Sequence, residues 1–84
     1  MHPGGKFMIT GLVLVKLQAG REHQTLSKIK EIKEVSHVSA VYGRWDLVVD
    51  IETDDLPKMS QLVVGKLRMI PGVLSTETLV TTAI

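Results

Sequence analysis

Apolar residues recur along this chain with two alternating periods. From Phe7 to Leu17 the pattern is that of a strand: Ile9, Val13, Val15 and Leu17 fall on one face, and Met8, Leu12 and Leu14 on the other. Both faces therefore ask for cover. Gly20-Arg21-Glu22 breaks the pattern, and Leu26, Ile29 and Ile32 then recur at helical spacing through about Glu34. Val38 to Val41 and Leu47 to Ile51 read as two strands of a β-hairpin reversing tightly at Gly43-Arg44, where a glycine supplies positive φ. Thr53-Asp54-Asp55 offers N-caps and Pro57 falls in a first turn that tolerates it. Leu56, Met59, Leu62, Val63, Leu67 and Ile70 mark one face of a second helix, which Pro71-Gly72 stops, and Leu74 to Thr82 is a last strand.

The two halves repeat. Lys28 to Val35 aligns with Lys66 to Val73 at a displacement of 38 positions, so each half ends its helix in the same way. Two βαβ units joined by a hairpin predict an α+β, ferredoxin-like βαββαβ fold: a four-stranded antiparallel sheet with two helices on one face. The bare second face would be lined by Met8, Leu12 and Leu14 and covered by a second subunit, giving a dimeric α/β barrel.

At 84 residues the chain is expected to hold one domain, residues 7–84, preceded by a flexible tail at residues 1–6. Ordering so short a chain costs about as much as its own burial returns, so association would help. One Phe, one Trp and one Tyr leave an aliphatic core, and the absence of Cys fits a cytoplasmic location. A net charge of +1 argues against a dedicated nucleic-acid surface, and Lys28, Lys30 and Lys33 interleave with Glu31 and Glu34 as on a solvated helix face. The longest apolar run, Leu12 to Val15, is too short to span a bilayer.

Little here points to catalysis. His2, His23 and His37 have no metal-ligand spacing, no phosphate loop follows Gly4-Gly5, and no serine lies in a nucleophile elbow, so no metal or cofactor is expected. Asp46 reads either as a turn residue capping the hairpin or as the anchor of a ligand cation. Met59 reads as core, or as a flexible wall for a variable side chain. Thr76, Glu77 and Thr78 fit a wet strand face, and Trp45 is an aromatic that buries against something, such as another subunit.

Gly20, Ile32 to Val35, Val41-Tyr42-Gly43-Arg44-Trp45-Asp46-Leu47-Val48-Val49, Ile70-Pro71-Gly72-Val73 and Ser75-Thr76-Glu77-Thr78-Leu79-Val80 stand in an order and spacing that resembles one known pattern. It is similar to the effector-binding RAM domain of the leucine-responsive/AsnC (Lrp/AsnC) transcription regulators, from about Met8 to Thr82. The resemblance implies dimers paired through the sheet and assembled into octamers or decamers, with a small effector, usually an amino acid, bound between dimers near the hairpin. Carried over by position, the ligand-binding residues become Gly43, Arg44, Trp45, Asp46, Met59, Thr76, Glu77 and Thr78. Family regulators usually carry a helix-turn-helix domain ahead of this one, and only Met1 to Lys6 stands there. A stand-alone domain without direct DNA binding is therefore expected, modulating transcription through partners such as a full-length helix-turn-helix relative. The alternatives are a small ferredoxin-like enzyme of monooxygenase or isomerase type, for which His37 is the one candidate near the sheet, and an amino-acid-sensing regulatory subunit.

Overall fold

In the computed structural model, which describes residues 9–80, the elements follow in the order β1 (Ile9–Leu17), α1 (Glu22–Lys30), β2 (Val35–Ala40), β3 (Leu47–Thr53), α2 (Leu56–Gly65), a short 3-10 turn (Leu67–Met69) and β4 (Val73–Val80). This is the expected ferredoxin-like order. The tail at residues 1–6, and the strand ends expected at Phe7, Met8, Thr81 and Thr82, lie outside the described residues.

The sheet is antiparallel with spatial order β2-β3-β1-β4, so the apolar β1 lies inside, hydrogen-bonded to β3 and β4. Val13 opposes Val49 on one side and Thr78 on the other, which fixes one inward face across three strands. That face carries Val13, Val15, Leu17, Leu47, Val49 and Ile51, all buried against Ile29 of α1, Met59, Leu62 and Val63 of α2, and Leu67. Each such side chain contributes about 1.5–3 kcal/mol by leaving water. The other face of β1 is uncovered in the single chain: Leu12 lies between Asp50 and Leu79, and Leu14 between Val48 and Glu77. Gly11 serves the inward face by its size. A Cβ there would come within 2.9 Å of Met59 Cε and 3.0 Å of Met59 Sδ, so the glycine gives the thioether its space.

Three expectations are corrected. α1 stops at Lys30 rather than Glu34, because Glu31 and Ile32 donate to carbonyls three residues back and tighten the end into a turn. α2 stops at Gly65, short of Pro71-Gly72: after a helix-weakening glycine the chain turns through Lys66 (φ −122°, ψ −60°) and drops Leu67 fully into the core. The hairpin reverses through six residues, Val41 to Asp46, closed by Val41 N–H to Asp46 C=O at 3.0 Å, with Gly43 at φ +122° inside the loop. Two of the anticipated features hold. Asp55 caps α2 by accepting from Lys58 N–H at 2.8 Å, and Pro57 lies in the first turn. The repeat is written in hydrogen bonds: Glu31→Lys28, Ile32→Ile29 and Val35→Ile32 recur 38 positions on as Met69→Lys66, Ile70→Leu67 and Val73→Ile70.

Candidate functional site

The loop from Val41 to Asp46 is pinned at its far end. Asp46 N–H donates to Val15 C=O at 2.9 Å, and Asp46 Oδ2 accepts from Leu17 N–H at 2.8 Å and lies 3.7 Å from Lys16 Nζ. The Asp46 carboxylate caps β1, 29 residues away, rather than its own turn, and Oδ1 takes no partner among the described residues. The amides of Tyr42, Gly43, Arg44 and Trp45 also make no hydrogen bond among the described residues. Tyr42 is fully exposed and Trp45 is half-buried.

A groove of about 410 Å³ runs between α2 and the edge strand β4. Its floor and apolar wall are Met59, Val63 and Val80, and its polar wall is Thr76 and Thr78, which the pairing with Val15 and Val13 turns toward the helices. Met59 is 2% exposed, hence core, and it also lines the groove. Arg68 closes the groove and was missed by sequence reasoning. It belongs to the 3-10 turn after α2, so nothing in the helical period marks it, and only the return of β4 along β1 brings it beside the two threonines.

The eight carried-over residues therefore fall into three places. Gly43, Arg44, Trp45 and Asp46 occupy the loop; Met59, Thr76 and Thr78 line the groove; Glu77, opposite Leu14, lies on the bare face of the sheet. No loop residue lines the groove, and β3 and β1 separate β2 from β4. Within one chain the loop and the groove therefore lie apart. His37 is exposed on β2 opposite Asp50, away from the groove.

A second cleft, of about 380 Å³, is charged but compensated. Lys58 Nζ meets Asp54 at 3.0 Å, and Lys66 Nζ lies 3.6 Å from the buried Glu34 Oε1, an ion pair without a hydrogen bond. The hydrogen bond to Asp54, then the charges of Asp54 and Asp55, hold the Lys58 ammonium above the ordinary lysine range. Among the described residues no cluster of His, Cys, Asp or Glu is disposed to hold a metal ion, and no helix is long and apolar enough to cross a membrane.

A family model described as the Lrp/AsnC ligand binding domain matches residues 10–83. The chain belongs to this Lrp/AsnC family. This Lrp/AsnC domain is similar to a curated HTH-type transcriptional regulator of Pyrococcus abyssi, 22% identical over 78 residues that cover 93% of this chain and 49% of the relative. The chain spans about half the length of the curated relatives first matched. Among solved structures, a hypothetical protein of Pyrococcus horikoshii is 32% identical, with a TM-score of 0.80 over 90% of this chain and 92% of that one. A transcriptional regulator of Neisseria meningitidis, solved as a complex with L-Met, shares the fold at 16% identity, with a TM-score of 0.81 over 89% of this chain and 50% of that one.

Proposed function

We propose that this Lrp/AsnC domain senses a small molecule, an amino acid, bound between subunits of a ring built from dimers, and that it modulates transcription through partner proteins carrying the same interface. The observation that carries the reading is the division of the polar groups. The groove of Met59, Thr76 and Thr78 opens beside edge strand β4, while the loop with Asp46 and its free amides lies at the β2–β3 end. A zwitterion needs an acceptor for its ammonium, donors for its carboxylate and an apolar lining. Two copies meeting groove to loop supply all three. The L-Met complex of the Neisseria regulator supports an amino acid as the ligand class for this fold.

The reading is of a binding module and not an enzyme. Among the described residues the one charged side chain lining the groove is the guanidinium of Arg68, and His37 is remote from it. A thermal-shift screen of the twenty amino acids, with light scattering in parallel, tests the proposal. One or a few amino acids should raise the melting temperature, by about 10–20 °C at a hundredfold excess over Kd, without dissolving the assembly. No shift from any of them would sink the reading. The pure chain should give no tight, sequence-selective shift of duplex DNA at physiological salt.

A further inference from the structure

We infer that Arg68 is the carboxylate receptor of the α2–β4 groove, which makes its ligand a small carboxylic acid with an aliphatic tail, held by the guanidinium with the hydroxyls of Thr76 and Thr78. This deepens the proposed function and rests on its choice of site. Three observations lead here. Arg68 lines the groove and has no ion pair or hydrogen bond among the described residues. Among the described residues the groove is lined by no acidic side chain, and the one formal charge they give it is positive. The remaining lining is Met59, Val63, Val80 and similar aliphatic groups around about 410 Å³, the lower end of the range that small-molecule sites occupy.

The internal repeat supplies the comparison that separates ligand chemistry from fold. Subtracting 38 positions maps Arg68 onto Lys30, Thr76 onto Val38 and Thr78 onto Ala40. In the first half, Lys30 and Val38 line a smaller cleft of about 300 Å³ with no threonine in it. The same βαβ unit thus folds with Val and Ala where the second half has two hydroxyls. Those hydroxyls and the planar two-pronged guanidinium are not what the unit needs to close its core. Two hydroxyl donors on one strand and a delocalised cation lining the same groove match a carboxylate better than they match an ammonium.

The test measures calorimetric affinity for L-leucine, L-methionine, their carboxamides and their deaminated acids, 4-methylpentanoate and 4-(methylthio)butanoate. Wild type, Arg68→Gln and Arg68→Lys are compared. Arg68 is exposed and unpaired, so both variants should fold with unchanged melting temperature. Wild type should prefer an amino acid over its carboxamide by about tenfold or more, Arg68→Gln should abolish that preference, and Arg68→Lys should restore part of it. If Arg68→Gln binds the amino acid as wild type does, the carboxylate role is overturned while the proposed function stands. If wild type binds none of the acids, both fall.

Discussion

At the scale of single residues, two glycines with similar dihedrals do different work. Gly43 has φ +122° with nothing within 4 Å of a Cβ, so a side chain there strains only the backbone. Gly43→Val should cost about 1–3 kcal/mol in urea unfolding and disturb the four free amides of the loop. Gly72 has φ +100°, and a Cβ there would overlap Thr25 Oγ1, the buried hydroxyl that donates to Pro71 C=O at 3.0 Å and ties α1 to the start of β4. Gly72→Ala adds a clash and a broken bond to the strain, so it should destabilise more than Gly43→Ala. Equal unfolding midpoints for the two alanine variants would contradict this. Asp46→Asn keeps an acceptor for Leu17 N–H, so it should shift stability by less than about 1 kcal/mol. It removes the charge offered to an ammonium, and amino-acid affinity should fall by about 1.5–3 kcal/mol. Unchanged affinity would leave Asp46 as a tie between loop and β1. That tie was not legible in the sequence because its partner is distant in the chain.

At the scale of elements, order and type were legible because the strand and helix periods switch cleanly, and because the repeat imposes the same ending on each half. Boundaries were less so. A helical period continues through Ile32 and Ile70 since both still face the core, yet the backbone has already left the α-helix for bonds three residues back. The six-residue loop was read as a tight turn because Gly43 satisfies either geometry. The start of α2 was fully legible. Asp55→Ala should cost about 1 kcal/mol by freeing Lys58 N–H, measured as a shifted denaturation midpoint at constant slope. Lys58 adds a pH signature. Its raised folded value means that its stabilising pair with Asp54 is fully present below the unfolded pKa of 10.5 and is lost as pH rises through the folded one. Lys58→Met should flatten the fall in stability above that pH, and an unaltered alkaline profile would dismiss the pair as inert. The site was the least legible part: Met59, Thr76 and Thr78 line one groove apart from the hairpin loop, Arg68 joins them through sheet topology alone, and Glu77 is turned away by strand alternation.

At the scale of the whole molecule, the uncovered sheet face is the feature that a single chain leaves unresolved. Leu12 and Leu79 sit side by side there with 37% and 47% of their surfaces exposed, Leu14 and Val48 lie half-buried next to them, and Lys16, Asp50, Glu52 and Glu77 surround the patch. An apolar centre with a charged rim of both signs suits a two-fold contact, in which each copy presents the same patch to the other. About 1.5–3 kcal/mol per large aliphatic side chain is at stake when that face leaves water. Leu12→Glu places a carboxylate at its centre, beside Asp50, where it repels across β3 as well as across the interface. The substitution leaves the inward core untouched, since Leu12 points away from Met59 and Ile29. Light scattering should therefore find the wild type associated at micromolar concentration, and Leu12→Glu either monomeric or unfolded. Met69→Glu, in the exposed 3-10 turn, is the control: it adds the same charge to an apolar position outside the groove and away from the bare sheet face, and should leave the dimer intact. A wild-type chain that is a stable, folded monomer at that concentration would remove the sheet face as an interface. With it would go the proposed assembly of groove against loop.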